Sequence, residues 1–138
     1  MPYVLDSYAL LAYLGAEEGH QRIGDLLERA AEGSARLYLT IINFGEVLYI
    51  IERERGLTAA QATIAAVDQL PIQVVDADRE MAFGAAHVKA HYPLAYTDCF
   101  AIALARSLDG VVITGDAEFR SVTALVEVEW LPQANIGR

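Results

Sequence analysis

Cysteine is almost absent from this chain of 138 residues, which contains a single one, Cys99. One cysteine cannot form an internal disulfide and offers no paired thiolates for zinc, so a disulfide framework and a zinc–cysteine site are both excluded. We interpret Cys99 as a small buried helix residue. The low cysteine content agrees with a reducing compartment, and we expect the protein to be cytoplasmic.

Positive charge is also scarce. The chain has 10 lysines and arginines against 19 aspartates and glutamates, a net charge of −9, and Lys89 is its only lysine. Affinity for nucleic-acid phosphates rests largely on a basic surface, so these numbers argue against simple nucleic-acid binding. They do not argue against a metal-dependent nuclease, because bound divalent cations reverse the sign of an acidic pocket.

Long hydrophobic runs are missing as well. No apolar run approaches the ~20 residues that a membrane-spanning helix needs. The N-terminal stretch MPYVLDSYALLAYLG has no basic region and carries Asp6 among its apolar residues, which argues against a signal peptide. Hydrophobic residues nevertheless make up 54% of the chain, so we expect one globular domain over residues 1–138, with a loose tail from Pro132.

Short apolar runs alternate with helical patterns along the chain. Strands are predicted over residues 2–5, 36–39, 72–75 and 111–114, and the alternating run 126–131 predicts a half-exposed edge strand. Helices are predicted over residues 7–14, 17–32, 41–55, 57–70 and 77–91, and another begins with Thr97 or Asp98 as its cap. This alternation predicts an α/β fold with a doubly wound, mostly parallel sheet and right-handed crossovers.

Four acidic residues occupy the junctions that matter most in such a fold. Asp6 and Asp116 end predicted strands, Asp98 starts a predicted helix, and Glu46 lies on an otherwise apolar helix among residues that should be buried. Ligands of open α/β sheets collect outside the carboxyl ends of the strands, so these acids can face one crevice. Carboxylates gathered there repel one another unless cations neutralise them, and carboxylate oxygens favour Mg²⁺ or Mn²⁺ over zinc.

Each of these acids also has a plainer explanation, as a helix cap, a turn residue or, for Glu46, a surface ion pair with Arg53. Other polar residues divide in the same way. Asp76 and Asp78 are better explained as caps of the helix 77–91 than as ligands. His87 and His91, spaced four residues apart, could face one metal ion, but we favour a solvated helix end because no third ligand has matching spacing.

Four short motifs occur in a recognisable order, from Asp6 to Phe119: DSYALL, TIINFGEV, YTDCFAIALA and TGDAEF. Together they resemble the PIN-domain ribonucleases, and especially the small VapC-type toxins of toxin–antitoxin pairs. The resemblance implies a PIN-like, three-layer α/β/α domain with a central, mostly parallel sheet of four to five strands. It also implies that the family's acidic quartet, both catalytic and metal-binding, falls on Asp6, Glu46, Asp98 and Asp116.

The same resemblance assigns supporting residues. Thr114 matches the polar residue that supports the last acid and the metal or its water, and Ser7 is a hydroxyl neighbour of Asp6. Asn43 stands where relatives often have Thr or Ser, and its amide can still hydrogen-bond a carboxylate or a metal-bound water. Tyr8 stands where a second small hydroxyl residue is common. Neither departure removes a proposed ligand, but both change the surroundings of the site.

The function implied by the resemblance is Mg²⁺-dependent hydrolysis of RNA phosphodiester bonds, with one or two ions and Mn²⁺ as a possible substitute. The partners implied are an RNA substrate, a cognate antitoxin whose tail covers the acidic crevice, and a second copy of the chain in a homodimer. On an acidic surface, a few arginines must help to select the RNA. The candidates are Arg53, Arg55, Arg106 and Arg120.

Two alternative functions stay open at this point. A receiver-like signalling module also places acids and Mg²⁺ at strand ends, but it needs paired acids after the first strand and a lysine after a late strand. Here Ser7 follows Asp6, and Lys89 lies on an earlier helix. A non-catalytic PIN-fold binding partner would keep the fold without turnover.

Overall fold

The computed structural model of the chain describes residues 1–132, which form a five-stranded sheet with helices on both faces. The strands are β1 (Pro2–Leu5), β2 (Arg36–Thr40), β3 (Ile72–Val75), β4 (Val111–Thr114) and β5 (Glu127–Trp130). The α-helices are α1 (Ser7–Leu14), α2 (His20–Ala31), α3 (Ile41–Arg55), α4 (Leu57–Asp68), α5 (Arg79–His91) and α6 (Tyr96–Leu108), and a 3₁₀ helix covers Ala117–Val122.

The sheet is parallel throughout, with the strand order β3-β2-β1-β4-β5. Its central strands are short apolar runs because a parallel sheet covered by helices buries both of its faces. All four residues of β4 are buried, and Val4 and Leu5 of β1 have no exposed surface. The predicted α/β class and the mostly parallel sheet are confirmed.

Successive side chains of a strand point to opposite faces, and they enter two separate cores. Val4 and Val112 pack with α5, α6 and the 3₁₀ helix on one face of the sheet. Leu5 and Ile113, the next residues along the same strands, pack with α1, α2, α3 and α4 on the other face. The result is the predicted three-layer α/β/α arrangement.

The strand order places the connection reversal at β1. From β1 the chain crosses to β2 and β3 on one side, and later to β4 and β5 on the other. The carboxyl ends of β1 and β4 are adjacent, with Leu5 paired to Ile113. Side chains that follow these two strands therefore meet at the switch point of the sheet, where open α/β folds bind ligands.

The prediction that Thr97 or Asp98 caps α6 is wrong. The helix begins at Tyr96, its N-cap is Ala95, and no side chain caps it. Asp98 consequently lies within the first turn, where its carboxylate is free of a capping bond. Capping by Asp78 is confirmed, since its carboxylate accepts a hydrogen bond of 2.9 Å from the Met81 backbone N–H, whereas Asp76 lies outside α5.

Within residues 1–132, no helix combines the length and the apolar character that crossing a lipid bilayer requires. The expectation of a single domain over residues 1–138 stays a prediction. The loose tail expected from Pro132 lies, after Pro132 itself, outside the described residues.

Candidate active site

A cavity of about 290 Å³ opens at the carboxyl ends of β1 and β4. All four acids predicted from the sequence line it, although they come from four separate segments of the chain. The complete lining is Asp6, Ser7, Tyr8, Leu11, Glu46, Ile50, Ala95, Asp98, Asp116 and Glu118. The structure therefore brings Asp6, Glu46, Asp98 and Asp116 to one place, together with a fifth acid that the sequence did not single out.

Asp6 is the most buried of these acids, with 1% of its surface exposed. It is the N-cap of α1, and its Oδ1 accepts a hydrogen bond of 2.8 Å from the Ala9 backbone N–H. Its Oδ2 accepts a hydrogen bond from the Thr114 hydroxyl. Burial raises the pKa of Asp6 from 3.8 to about 8, against the lowering effect of those two hydrogen bonds, and Asp98 and Asp116 raise it further.

Asp98 is nearly buried and less well supported. Among the described residues, no donor forms a hydrogen bond with its carboxylate. Burial raises the pKa of Asp98 to about 7, and the neighbouring charges of Asp116, Glu46 and Glu118 raise it as well. A half-neutralised carboxyl of this kind is stabilised by an added cation, because the cation favours its charged form.

The closest grouping of acids consists of Asp98, Asp116 and Glu118. One carboxylate oxygen from each lies within 4.8 Å of the other two. Asp116 caps the 3₁₀ helix, accepting a hydrogen bond of 2.9 Å from the Glu118 backbone N–H, and this turn brings the two side chains to the same side. Oxygen donors in this arrangement fit a hard divalent cation such as Mg²⁺ or Mn²⁺.

Glu46 differs from expectation in its surroundings. It is half-buried at the edge of the cavity, and its neighbour Tyr49 is 47% exposed, so the carboxylate does not lie within an apolar interior. No ion pair joins Glu46 to Arg53 within residues 1–132. Instead, the Tyr49 hydroxyl approaches Glu46 at 3.5 Å, and the Arg53 guanidinium lies 4.8 Å from the centre of the Tyr49 ring.

The supporting polar residues form two small networks. Thr114 links the strand ends, since its hydroxyl donates to Asp6 and accepts a hydrogen bond of 2.9 Å from the Asp116 backbone N–H. Asn43 is fully buried and donates to the Ser7 hydroxyl at 3.1 Å. Ser7 lines the cavity, whereas Asn43 braces the start of α3 against α1 without a hydrogen bond to any of the acids.

Two polar residues of the cavity, Glu118 and Tyr8, were not predicted from the sequence as site residues. Glu118 follows Asp116 by two positions in TGDAEF. A 3₁₀ turn brings the two side chains together, and such a turn has no strong sequence pattern from which it could be predicted. Tyr8 had been noted only as a departure from relatives, yet its ring forms part of the cavity wall. A Cβ atom on Gly115 would lie 2.2 Å from Tyr8 Cε1, so this glycine is what allows the ring to lie there.

The arginines proposed to contact RNA are not part of the cavity lining. Arg106 lines a different and larger cavity, of about 610 Å³, between α5 and α6. That cavity contains no grouping of three acids among the described residues, so its size does not make it the better site for metal chemistry. His87 and His91 lie side by side at the exposed end of α5, with ring centres 4.8 Å apart.

Comparisons with known proteins agree with this fold. A family model for the PIN domain matches residues 3–125. No curated protein sequence gives a significant match.

Solved structures supply the remaining matches. The chain is similar to a chain of VapBC2 from Rickettsia felis, in a complex bound to a DNA fragment from the promoter, with a TM-score of 0.75 and 12% identity over 96% of this chain and 100% of that one. For DNA-bound VapBC from Salmonella typhimurium the TM-score is 0.73, with 18% identity over 94% and 97%. For VapC20 from Mycobacterium tuberculosis, a sarcin-ricin loop cleaving toxin, it is 0.67, with 19% identity over 92% and 98%. At identities this low, the TM-scores establish a common fold and nothing further.

Proposed function

This chain belongs to the PIN domain family, and on that premise we propose that it is a divalent-metal-dependent endoribonuclease, the toxin of a toxin–antitoxin pair. The observation that carries the proposal is the convergence of five carboxylates, from four segments of the chain, in one cavity at the switch point of the sheet. The raised pKa values of Asp6 and Asp98 support it, because groups held away from their ordinary ionisation mark functional sites.

Each acid has a defined part in the proposed reaction. Asp98, Asp116 and Glu118 would hold a Mg²⁺ or Mn²⁺ ion, and their mutual spacing within 4.8 Å supports that assignment. When bound, such an ion makes water a better nucleophile and stabilises negative charge on the phosphate and on the leaving 3′ oxygen. Asp6, fixed by Thr114 and by the backbone of Ala9, keeps its carboxylate at the floor of the cavity.

Glu46 contributes from α3. It is the only cavity acid on α3 among the described residues, and it raises the pKa of Asp98 through their like charges. We assign Glu46 the role of orienting the attacking water. If two ions are bound, Glu46 would instead help to hold the second one. No side chain acts as a covalent nucleophile in this scheme.

The partners follow from the same assignment. The substrate is RNA, and the neighbouring VapBC complexes favour an antitoxin protein as the natural inhibitor. With a net charge of −9, this chain suits an antitoxin segment that brings arginine or lysine to the acidic cavity. A homodimer and a cytoplasmic location belong to the same proposal.

The test is cleavage of structured RNAs in the presence of Mg²⁺ or Mn²⁺. We expect the wild-type protein to cleave, the Asp98→Asn variant to lose at least about a hundredfold in rate, and excess chelator to abolish cleavage. Asp68→Asn, the same change at an exposed acid at the end of α4, is the matched control and should cleave normally. Equal rates for wild type and Asp98→Asn, or cleavage that persists in chelator, would contradict the proposal.

The two alternatives are distinguished by related measurements. A non-catalytic binding partner would bind RNA or the antitoxin with no cleavage under any metal condition. A receiver-like module would instead take up phosphate from a small phosphodonor and lose this on a single Asp→Asn change. The PIN family match gives no support to the receiver-like reading.

A further inference from the structure

The lining of the cavity contains two chemically different sets of residues. One set is the five acids described above. The other set, which we term the apolar wall, consists of Tyr8 and Leu11 of α1, Ile50 of α3 and Ala95. Nothing in the proposed metal chemistry uses this wall, although it faces the same space as the acids.

Tyr8 is the aromatic member of the wall, and its orientation follows from its contact with Gly115. A Cβ atom on Gly115 would lie 2.2, 2.6 and 2.8 Å from Cε1, Cζ and Cδ1 of the ring. Three adjacent ring atoms at such similar distances mean that the ring turns its face, and not its edge, to the Gly115 backbone. One face is thereby packed against Gly115, while 38% of the residue stays exposed and Tyr8 contributes to the cavity lining.

The charge of the site determines which contacts can hold a substrate beside it. Within residues 1–132, neither lysine nor arginine lines this cavity, while five acids do. RNA next to the site therefore cannot rely on ion pairs from the cavity itself. Stacking of a base on an aromatic ring needs no positive charge, and single-stranded RNA presents unpaired bases for it.

We propose that the apolar wall is a subsite for one unpaired nucleobase adjacent to the scissile phosphate, with the base stacked on the free face of Tyr8. This inference rests on the proposed ribonuclease function and adds a substrate contact to it. The acids and their cations take the phosphate, and the wall takes the neighbouring base. Gly115 supports the ring from behind, so the stacking surface is already in place before RNA arrives.

The first experiment compares two substitutions of Tyr8. Tyr8→Phe keeps the ring, and Tyr8→Leu replaces it with an apolar chain that can still cover Gly115. Binding of a short fluorescent single-stranded RNA is measured in the Asp98→Asn background, so that cleavage does not interfere. We expect Tyr8→Phe to bind like its parent and Tyr8→Leu to bind roughly 5- to 150-fold more weakly.

Phe83 provides the matched control, because it is 60% exposed on α5 and does not line the acidic cavity. Phe83→Leu removes an exposed aromatic ring by the same change and should leave RNA affinity unaltered. A thermal unfolding curve for each variant identifies any loss caused by misfolding. Gly115→Ala provides a second route, because its Cβ displaces the ring while leaving Tyr8 itself intact. It should weaken binding in the same direction as Tyr8→Leu.

The second experiment removes the base instead of the ring. A single ribose lacking its base is moved along a short RNA of fixed sequence. At one position, the missing base should weaken binding to the parent protein by roughly the factor seen for Tyr8→Leu, and it should have little further effect on Tyr8→Leu. Equal sensitivity of both proteins at every position would overturn the inference.

The outcomes separate this inference from the proposed function. If wild type cleaves RNA but Tyr8→Leu and Tyr8→Phe bind equally, the subsite is wrong and the ribonuclease proposal stands. If wild type cleaves no RNA but binding depends on the ring and on one base, the subsite stands and the ribonuclease proposal falls. If the chain neither binds nor cleaves RNA, both are wrong.

Discussion

The hydroxyl of Thr114, the last residue of β4, donates a hydrogen bond to the carboxylate of Asp6, the residue that follows β1. The same hydroxyl oxygen accepts a hydrogen bond of 2.9 Å from the Asp116 backbone N–H. One side chain thus joins two acids of the cavity across the switch point of the sheet. Its hydrogen bond lowers the pKa of Asp6, which burial raises.

Replacing Thr114 with valine should impair the site at nearly the same side-chain volume, because it removes both hydrogen bonds of the hydroxyl. The isosteric side chain cannot donate to Asp6, so the pKa of that carboxyl rises further and a larger share of it is protonated at neutral pH. We expect RNA cleavage at pH 7 to fall about tenfold, and the acidic limb of the pH–rate profile to move to higher pH. Thr114→Ser keeps the hydroxyl and should retain the wild-type profile. Unchanged profiles for both variants would mean that Asp6 does not limit the reaction.

When metal is absent, the free energy of unfolding should fall as the pH rises from about 4 to about 8. Both Asp6 and Asp98 have an ordinary value of 3.8, which applies to the unfolded chain, and folded pKa values of about 8 and about 7. Between these limits the folded protein binds more protons than the unfolded chain, so their contribution to stability is complete below pH 4 and is lost as the pH rises to about 8. At 1.36 kcal/mol per pKa unit, the two shifts set an upper limit on the order of 10 kcal/mol for this loss.

Urea unfolding at several pH values, in chelator, measures this dependence. Asp98→Asn carries no titrating group at that position, so it should show a shallower fall and be at least as stable as wild type at pH 8. Saturating Mg²⁺ should also reduce the fall for wild type, because it neutralises the charged carboxylates. A marked loss of stability for Asp98→Asn in metal-free buffer at pH 8 would instead indicate a purely structural role for this acid.

Glu118 should contribute to metal affinity although it is exposed. It belongs with Asp98 and Asp116 to the only set of three acids within 4.8 Å among the described residues. We expect Glu118→Gln to weaken Mg²⁺ binding about tenfold, measured by calorimetry or by the Mg²⁺-dependent rise in melting temperature. Glu127→Gln, at an exposed position of β5, is the control. Equal Mg²⁺ affinity for both variants would exclude Glu118 as a ligand.

The attachment of the edge strand β5 should depend on Arg22 of α2, and its loss should lower the free energy of unfolding. The guanidinium forms a two-pronged ion pair with Glu129, with Nε donating at 2.6 Å and Nη2 at 3.0 Å, and the pKa of Arg22 is raised chiefly by this hydrogen bonding. A lysine cannot reproduce both bonds, so Arg22→Lys should cost about 1 kcal/mol in urea unfolding. Arg29→Lys, on the same helix, should cost much less because the only ion pair of its side chain within residues 1–132 is with Asp25, at 4.0 Å. Equal costs would mean that the paired geometry adds nothing.

Much of the fold could be predicted because parallel strands covered on both faces are continuous apolar runs. The strands 2–5, 72–75 and 111–114 were predicted with the bounds that the structure has. The start of α6 was not, because Thr97 and Asp98 are both residue types that cap helices. The helix begins at Tyr96, directly after Ala95 with its extended backbone, and local residue preference does not report that boundary.

The convergence of the four acids could be predicted from the sequence because each stands at the end of a strand or on an inward-facing helix. The surroundings of Glu46 could not be predicted as well. Its helix is apolar almost all round, and only the packed structure reveals that the face carrying Tyr49 is exposed. The same holds for Tyr8, whose place in the wall depends on Gly115, more than a hundred residues further along the chain.

The strand order determines when, during synthesis of the chain, the cavity can assemble. β1 pairs with β2, which follows it closely, but also with β4, which begins only at Val111. The cavity therefore cannot form until the chain has been made past Glu118, because Asp6 comes from β1 and Asp116 and Glu118 follow β4. A growing chain that ends before β4 already contains β1, β2 and β3 but cannot form the site. Under the proposed ribonuclease function, the nascent chain therefore has no assembled active site until synthesis has passed Glu118.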